Sequence, residues 1–338
     1  MADLTQSVRN FLSAIQGRNV TYRYLRDEMK IDPNSPEWHN LRQVMKRLVA
    51  EKMVRPLSGP DGGFKVVTQV KAVPVFSKVR ERRPPFELLF PKDFDTGMEM
   101  DFAKDIVIRE GDIITIGGVS NYGKTCLALN FCGENIHYFP ILMGNEYTTR
   151  VGETDEYEPT PRFLNRLDAM DWVQWTNGTG EDAFTLLPVR DDYAEHIVKD
   201  KINIIDWVNL DASKLYEISH LEETIKAELG RGIGVLVLQK GEFATAARGG
   251  QFAKDFTDCE LLIDKFTDSE SMLTIGKVKE YTKPVIGRTF AFGISHGVKI
   301  ISFREIVKCP QCWGKGWKKS GNSSLPCDEC FKTGYIDK

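Results

Sequence analysis

The octet Gly118-Val119-Ser120-Asn121-Tyr122-Gly123-Lys124-Thr125 narrows the possible folds of this chain more than any other feature. It fits the pattern GxxxxGK[ST], and its flanks fit as well. IITIGG (113–118) reads as a buried strand running in, and a helix is predicted from Lys124. Gly118 and Gly123 predict a backbone curl whose N–H groups point inward at phosphate oxygens. Lys124 supplies a point charge for the β- and γ-phosphates, and Thr125 offers a hydroxyl to Mg²⁺. The start of the helix adds its dipole. Gly118 through Cys126 is therefore the predicted nucleotide-contacting segment.

From 104 to 305 the pattern alternates apolar strands with helices. YFPILMG, FTLLPV, INIIDWV and GVLVLQ read as strands; 160–170, 191–199 and 212–229 read as helices. This predicts an α/β fold with a mostly parallel sheet covered on both faces. CELLIDK, MLTIGKVK and TFAFGI follow without long helices between them, so that edge is predicted to turn antiparallel. A phosphate site needs further acids. Asp206 ends INIID, a strand expected beside the loop strand, and is placed to hold Mg²⁺ with Thr125. Glu146 follows ILMGN and suits a base that deprotonates the attacking water. Glu153, Asp155 and Glu156 are rivals in an acidic loop. Gln239 ends GVLVLQ, where a neutral amide can sense the γ-phosphate.

The stretch IREGDIITIGGVSNYGKTCLALNFCGEN resembles the opening of the RecA-type ATPases, in particular the DnaB-type replicative helicases and KaiC. The resemblance spans roughly 104–298. It implies a RecA-like P-loop core that uses ATP, with Glu146 as the catalytic glutamate, Asp206 as the metal-coordinating aspartate and Gln239 as the polar sensor. It also implies a basic pair on a late strand reaching a neighbour's γ-phosphate. Here that pair is Lys277 and Lys279, with lysine where the helicases carry arginine; Arg288 is a fallback. The family's DNA-binding loop corresponds to GEFATAARGGQFAKDF, so Lys240, Arg248 and Lys254 are candidates to line a DNA channel.

The two ends differ from the centre. Residues 1–90 hold 16 Lys+Arg against 9 Asp+Glu, residues 299–338 hold 8 against 4, and residues 91–298 hold 21 against 35. Basic ends on an acidic centre suit a polyanionic partner. Residues 1–70 carry three helical patterns, the third opening at Ser35-Pro36, then two short strand-like runs around GPDGG. That order spells a winged helix-turn-helix. Asn40, Arg42, Gln43, Lys46 and Arg47 on its third helix suit base edges or phosphates, with protein docking as the alternative. Residues 71–103, with four prolines and the cluster KVRERR, read as a linker. The tail, 306–338, carries Cys309-x-x-Cys312 and Cys327-x-x-Cys330, 14 residues apart. Two such turns close a Cys₄ tetrahedron around a structural Zn²⁺. CPQCWGKGW and CDECFKTGYI also resemble a DnaJ-type CxxCxGxG pair. Trp313, Trp317, Lys315, Lys318 and Lys319 mix rings with cations, a combination that suits nucleic acid. Cys126, Cys132 and Cys259 read as buried hydrophobes, and His137, His196, His220 and His296 fit no ligand spacing.

No apolar run reaches the roughly 18 residues of a membrane span, and MADLTQSVRN lacks the layout of a signal peptide. These features predict a cytoplasmic ATPase that binds single-stranded or duplex DNA and forms a ring or filament of identical subunits. It would act as a helicase, translocase or recombinase-like motor in replication or recombination, with a phage or mobile element as one source. An ATP-switched, sequence-specific DNA-binding regulator or loader is the alternative. A protein-docking scaffold is a third reading.

Overall fold

Capping residues set the start of two helices in the first part of the chain. A computed structural model describes residues 2–58, 63–68, 70, 72, 76, 84–153, 155–208, 217–241, 244, 247, 250, 252–320 and 323–338. It divides the chain into two compact units, Met1–Arg82 and Arg83–Lys338. In the first, α1 (Ala2–Ala14) is followed by β1 (Asn19–Thr21), α2 (Tyr22–Glu28), α3 (Pro36–Ala50), β2 (Val54–Pro56) and β3 (Gly63–Val66). The Thr21 side chain accepts the Tyr24 N–H to start α2, and Ser35 accepts the Trp38 N–H to start α3, with Pro36 in the first turn. The three strands form an antiparallel sheet in the order β1-β3-β2. Val8, Leu12, Leu25, Leu41, Met45 and Leu48 are buried against Val54, Phe64 and Val66. Arg42, Gln43, Lys46 and Arg47 stand exposed on the other face of α3, and Asn40 is half-buried.

The second unit is built on one sheet. Its elements are β4 (Ile113–Gly118), α4 (Lys124–Glu134), β5 (Ile141–Met143), β6 (Thr148–Arg150), β7 (Tyr157–Pro159), α5 (Pro161–Ala169), β8 (Thr185–Leu187) and β9 (Ile202–Ile205). Then come α6 (Ile218–Glu228), β10 (Ile233–Gln239), β11 (Cys259–Lys265), β12 (Glu270–Val278), β13 (Thr289–Ser295), β14 (Lys299–Lys308), β15 (Trp317–Ser320), β16 (Ser323–Pro326) and β17 (Tyr335–Asp337). Ten strands join in the order β17-β14-β13-β12-β11-β4-β10-β9-β5-β8. The six from β11 to β8 are parallel to one another, and the run from β11 to β17 is antiparallel. The expected α/β class and the antiparallel turn after β11 are both present.

The parallel strands are buried on both faces because alternate residues point to opposite sides. Ile114, Ile116, Val235 and Val237 pack under α4, with Leu127 and Phe131. Ile113, Leu236 and Leu238 pack under α6, with Ile218 and Ile225. Residues 84–103 lie on the α4 side. Phe90 and Phe102 are buried there, and the Asn135 amide bonds both the N–H and the carbonyl of Leu89. A stretch whose prolines suggest a linker thus supplies core aromatics. Residues 191–199 contribute a single 3₁₀ turn (Tyr193–His196) in place of the predicted helix. The GPDGG turn apart from Gly63, the KVRERR cluster, Arg248 and 212–216 lie outside the described residues.

Candidate functional site

Strand β4 ends at Gly118, and the chain curls before α4 begins. Asn121 (φ 70°) and Gly123 (φ 102°) are both left-handed. Gly123 caps α4 without a side chain, so the first N–H groups of the helix stay open to a ligand. Gly118 has a different job. A Cβ there would lie 2.9 Å from Lys124 Cγ and 3.0 Å from Ile263 Cβ, so close packing, not backbone freedom, demands glycine. Lys124 Nζ donates to the Val119 carbonyl at 2.9 Å, across the loop's own curl. Burial holds its ammonium below the usual lysine range, and the charges of Asp206 and Glu146 oppose that shift.

A cavity of about 570 Å³ opens over this loop. Ser120, Asn121, Gly123, Lys124, Thr125 and Cys126 line one wall, and Glu146, Asp206 and Gln239 are among the residues that line the rest. Asp206 follows β9, and β10 separates that strand from β4. The acid is therefore two strands from the loop, not on the adjacent strand as expected. It still reaches the cavity because parallel strands end together. Tyr147, buried behind it, donates its hydroxyl to Asp206 Oδ2. Asp206 Oδ1 is buried without a hydrogen-bond partner among the described residues. Burial raises the Asp206 carboxyl above its usual value, and the Tyr147 and Thr125 hydroxyls pull it back. A buried carboxylate oxygen without a partner, beside a threonine hydroxyl, fits the hard oxygen donors Mg²⁺ takes. Gln239 Nε2 donates to Ser120 Oγ at 3.0 Å, tying β10 to the loop. Glu146 is exposed on the cavity wall, three residues past β5. Its rivals sit on the β6–β7 hairpin, where Asp155 pairs with Arg150 at 2.7 Å.

Sequence reasoning missed three groups around this cavity. Tyr147 is invisible without knowing that it packs against Asp206. Arg162 and Arg166 line the cavity from α5, and their i, i+4 spacing on a helix opened by Thr160-Pro161 was the available signal.

Other predicted residues lie elsewhere. Lys279 pairs with Asp258 at 2.6 Å, and Lys277 donates to the Lys254 carbonyl. Asp258 is fixed at the opposite end of β4, where its carboxylate accepts the Ile113 N–H. Six residues of strand separate that end from the loop, about 16 Å at the usual rise. Arg288 is held by Glu305 (2.8 Å) and Asp101 (3.0 Å), which raise its guanidinium further. Lys240 is buried and paired with Asp264, and Lys254 pairs with buried Glu260 at 3.1 Å. Neither presents a free charge for a DNA phosphate.

The four tail cysteines come together. Their sulfurs lie within 4.8 Å of one another, with Cys309–Cys327 at 3.8 Å and Cys312–Cys330 at 3.6 Å. A tetrahedron with Zn–S of about 2.3 Å has edges of about 3.8 Å, so the cluster can hold a metal ion and matches Zn²⁺. Burial acts on the Cys312 thiol, but the Gly316 N–H and the neighbouring sulfurs outweigh it and bring it down to about 7. Each half repeats the other 18 residues on: Cys309 N–H bonds the Gly334 carbonyl, and Cys327 N–H bonds the Gly316 carbonyl, both at 2.8 Å. Trp313 and Phe331, equivalent in this repeat, are 80% and 84% exposed. The remaining cysteines, Cys126, Cys132 and Cys259, are buried, and burial pushes the Cys126 thiol up to about 12.

No protein-family model matches this chain, and no curated protein sequence matches it. Among the described residues no helix is long and apolar enough to cross a membrane.

Proposed function

We propose that this chain is a RecA-type P-loop ATPase that binds DNA, an oligomeric motor of the helicase, translocase or recombinase kind. One observation carries the reading: Asp206, whose buried Oδ1 has no hydrogen-bond partner among the described residues, lines the same cavity as Lys124 and Thr125. A nucleoside triphosphate would lie with its phosphates on the uncapped start of α4. Its phosphate oxygens would compete with the Val119 carbonyl for Lys124. Thr125 and Asp206 would hold Mg²⁺, which supplies charge neutralisation at the phosphates. Glu146 would take the proton of the attacking water, and the Gln239–Ser120 contact would pass the state of the loop to β10. Lys277 and Lys279 would reach such a site only from a neighbouring subunit. The first unit would act as a winged helix-turn-helix, and the tail would be a structural Zn²⁺ module.

The test is the ATPase rate of the full chain with and without single- and double-stranded DNA, wild type against Lys124→Ala. Turnover that rises with single-stranded DNA and vanishes in the variant supports the motor. No affinity for ATP or GTP with magnesium would overturn it. The exposed row Arg42, Gln43, Lys46 and Arg47 on α3 favours a second reading, an ATP-switched regulator or loader on specific duplex. A footprint at a defined site without strand displacement would select that reading.

A further inference from the structure

Most arginines near the sheet of the second unit are matched to acids: Arg109 to Glu280, Arg231 to Glu110, Arg288 to Glu305 and Arg304 to Glu270. Arg162 and Arg166 are not, nor is Arg190 past β8. The Arg162 and Arg166 side chains make no hydrogen bond or ion pair among the described residues, although Glu146 shares their cavity. They stand one turn apart on α5, so both guanidinium groups leave the same helix face. Both line the cavity over the Gly118–Thr125 loop, and a second hollow of about 440 Å³ continues past them to His296. Like charges at this spacing repel, and an anion between them would relieve the repulsion. The planar guanidinium fork matches phosphate oxygens two at a time.

We propose that Arg162 and Arg166 form a second anion subsite that grips the terminal phosphate of a nucleoside triphosphate seated on the Gly118–Thr125 loop. This rests on the nucleotide reading given above. Positive charge at that phosphate then comes from the same chain. Lys277 and Lys279, about 16 Å away along the sheet at the usual strand rise, are not required for it. A diphosphate does not reach the pair, so the arginines make the site discriminate ATP from ADP.

The test titrates full-length wild type, Arg162→Ala, Arg166→Ala, the double variant and Arg166→Lys with fluorescent ATP and ADP in magnesium. Turnover per chain is followed across protein concentrations. Neither arginine holds a partner, so the variants should melt as wild type does. In the double variant, ATP affinity should fall about 10-fold or more, while ADP affinity stays within about threefold. Arg166→Lys, which keeps the charge but not the fork, should lie between. Turnover per chain should be independent of dilution and should fall on the order of 10³-fold in the double variant. An unchanged ATP-to-ADP ratio in the double variant, with wild type binding ATP, overturns the subsite and leaves the nucleotide reading standing. An unchanged ratio with lost single-stranded DNA binding overturns it too and assigns the pair to polynucleotide phosphates. Turnover that collapses on dilution overturns the single-chain supply of charge. Wild type that binds neither nucleotide removes both readings.

Discussion

The two ends of β4 make an informative contrast. At its start, Asp258 is held between Lys226 and Lys279, and Lys277 sits on the Lys254 carbonyl. Lys254 in turn answers Glu260. At its end, among the described residues, Lys124 has only a loop carbonyl, Asp206 keeps an unpartnered oxygen, and Arg162 and Arg166 form no ion pair. Both ends are rich in charge, and at the first Glu222 and Glu260 also keep buried oxygens without a hydrogen bond among the described residues. The difference lies in the cations: the lysines there are partnered, whereas Arg162 and Arg166 form no ion pair among the described residues, which makes the unmatched end the place for an anion.

The largest effect should come from the unmatched end. Lys124→Ala should lower ATP turnover by at least about 10²-fold, as loss of a charge-stabilising contact does, while its melting curve stays close to wild type. A turnover-competent variant would break the contrast. Next comes the tail. Cys327→Ser leaves three ligands, and structural Zn²⁺ sites fold their surroundings, so bound zinc by atomic absorption should fall to near zero. Protease should then cut within 306–338 much sooner than in wild type.

Tyr147→Phe sharpens the comparison. It removes the hydroxyl that holds Asp206 Oδ2 and leaves only the Thr125 hydroxyl to offset the burial of that carboxyl, at a cost of about 1–3 kcal/mol. Chemical denaturation should show that loss. Half-maximal turnover should also need several-fold more Mg²⁺, which a purely structural role would not produce.

The smallest effect concerns Glu222 near the matched end. Burial raises its carboxyl from 4.5 to about 8, opposed by the Thr257 hydroxyl and the Lys277 charge. The folded form therefore keeps a proton that the unfolded chain has released. Its contribution to stability is complete below about pH 4.5 and is lost as pH rises toward 8. Glu222→Gln should melt higher than wild type at pH 8.5 and no higher at pH 4.5. A pH-independent difference would show that the Glu222 carboxyl does not titrate in this way.

What could be read from the sequence follows the range of the interactions involved. The glycine loop, its flanking strand and helix, and the paired CxxC turns are local patterns, and each sits where its spacing placed it. The capped starts of α2 and α3 belong to the same class. Strand order is not local: nothing in INIID says that β10 inserts between β9 and β4. Nor does spacing reveal that Lys240 is buried on Asp264, or that Phe90 and Phe102 leave a proline-rich stretch for the core. Those depend on partners dozens of residues away. Arg162 and Arg166 lie between the two cases. Their spacing was legible, but that they form no ion pair among the described residues is seen only in three dimensions.

β17 is the last strand of the sheet, and its pairing with β14 begins at Tyr335, five residues beyond Cys330. The sheet's open margin is therefore closed by a strand that the thiolate cluster anchors. A cell short of zinc would loosen that strand and bare the backbone of β14, a ready template for sticking to other chains. Metal supply would then govern how long the whole second unit stays in solution, although the cysteine cluster lies outside its cavity.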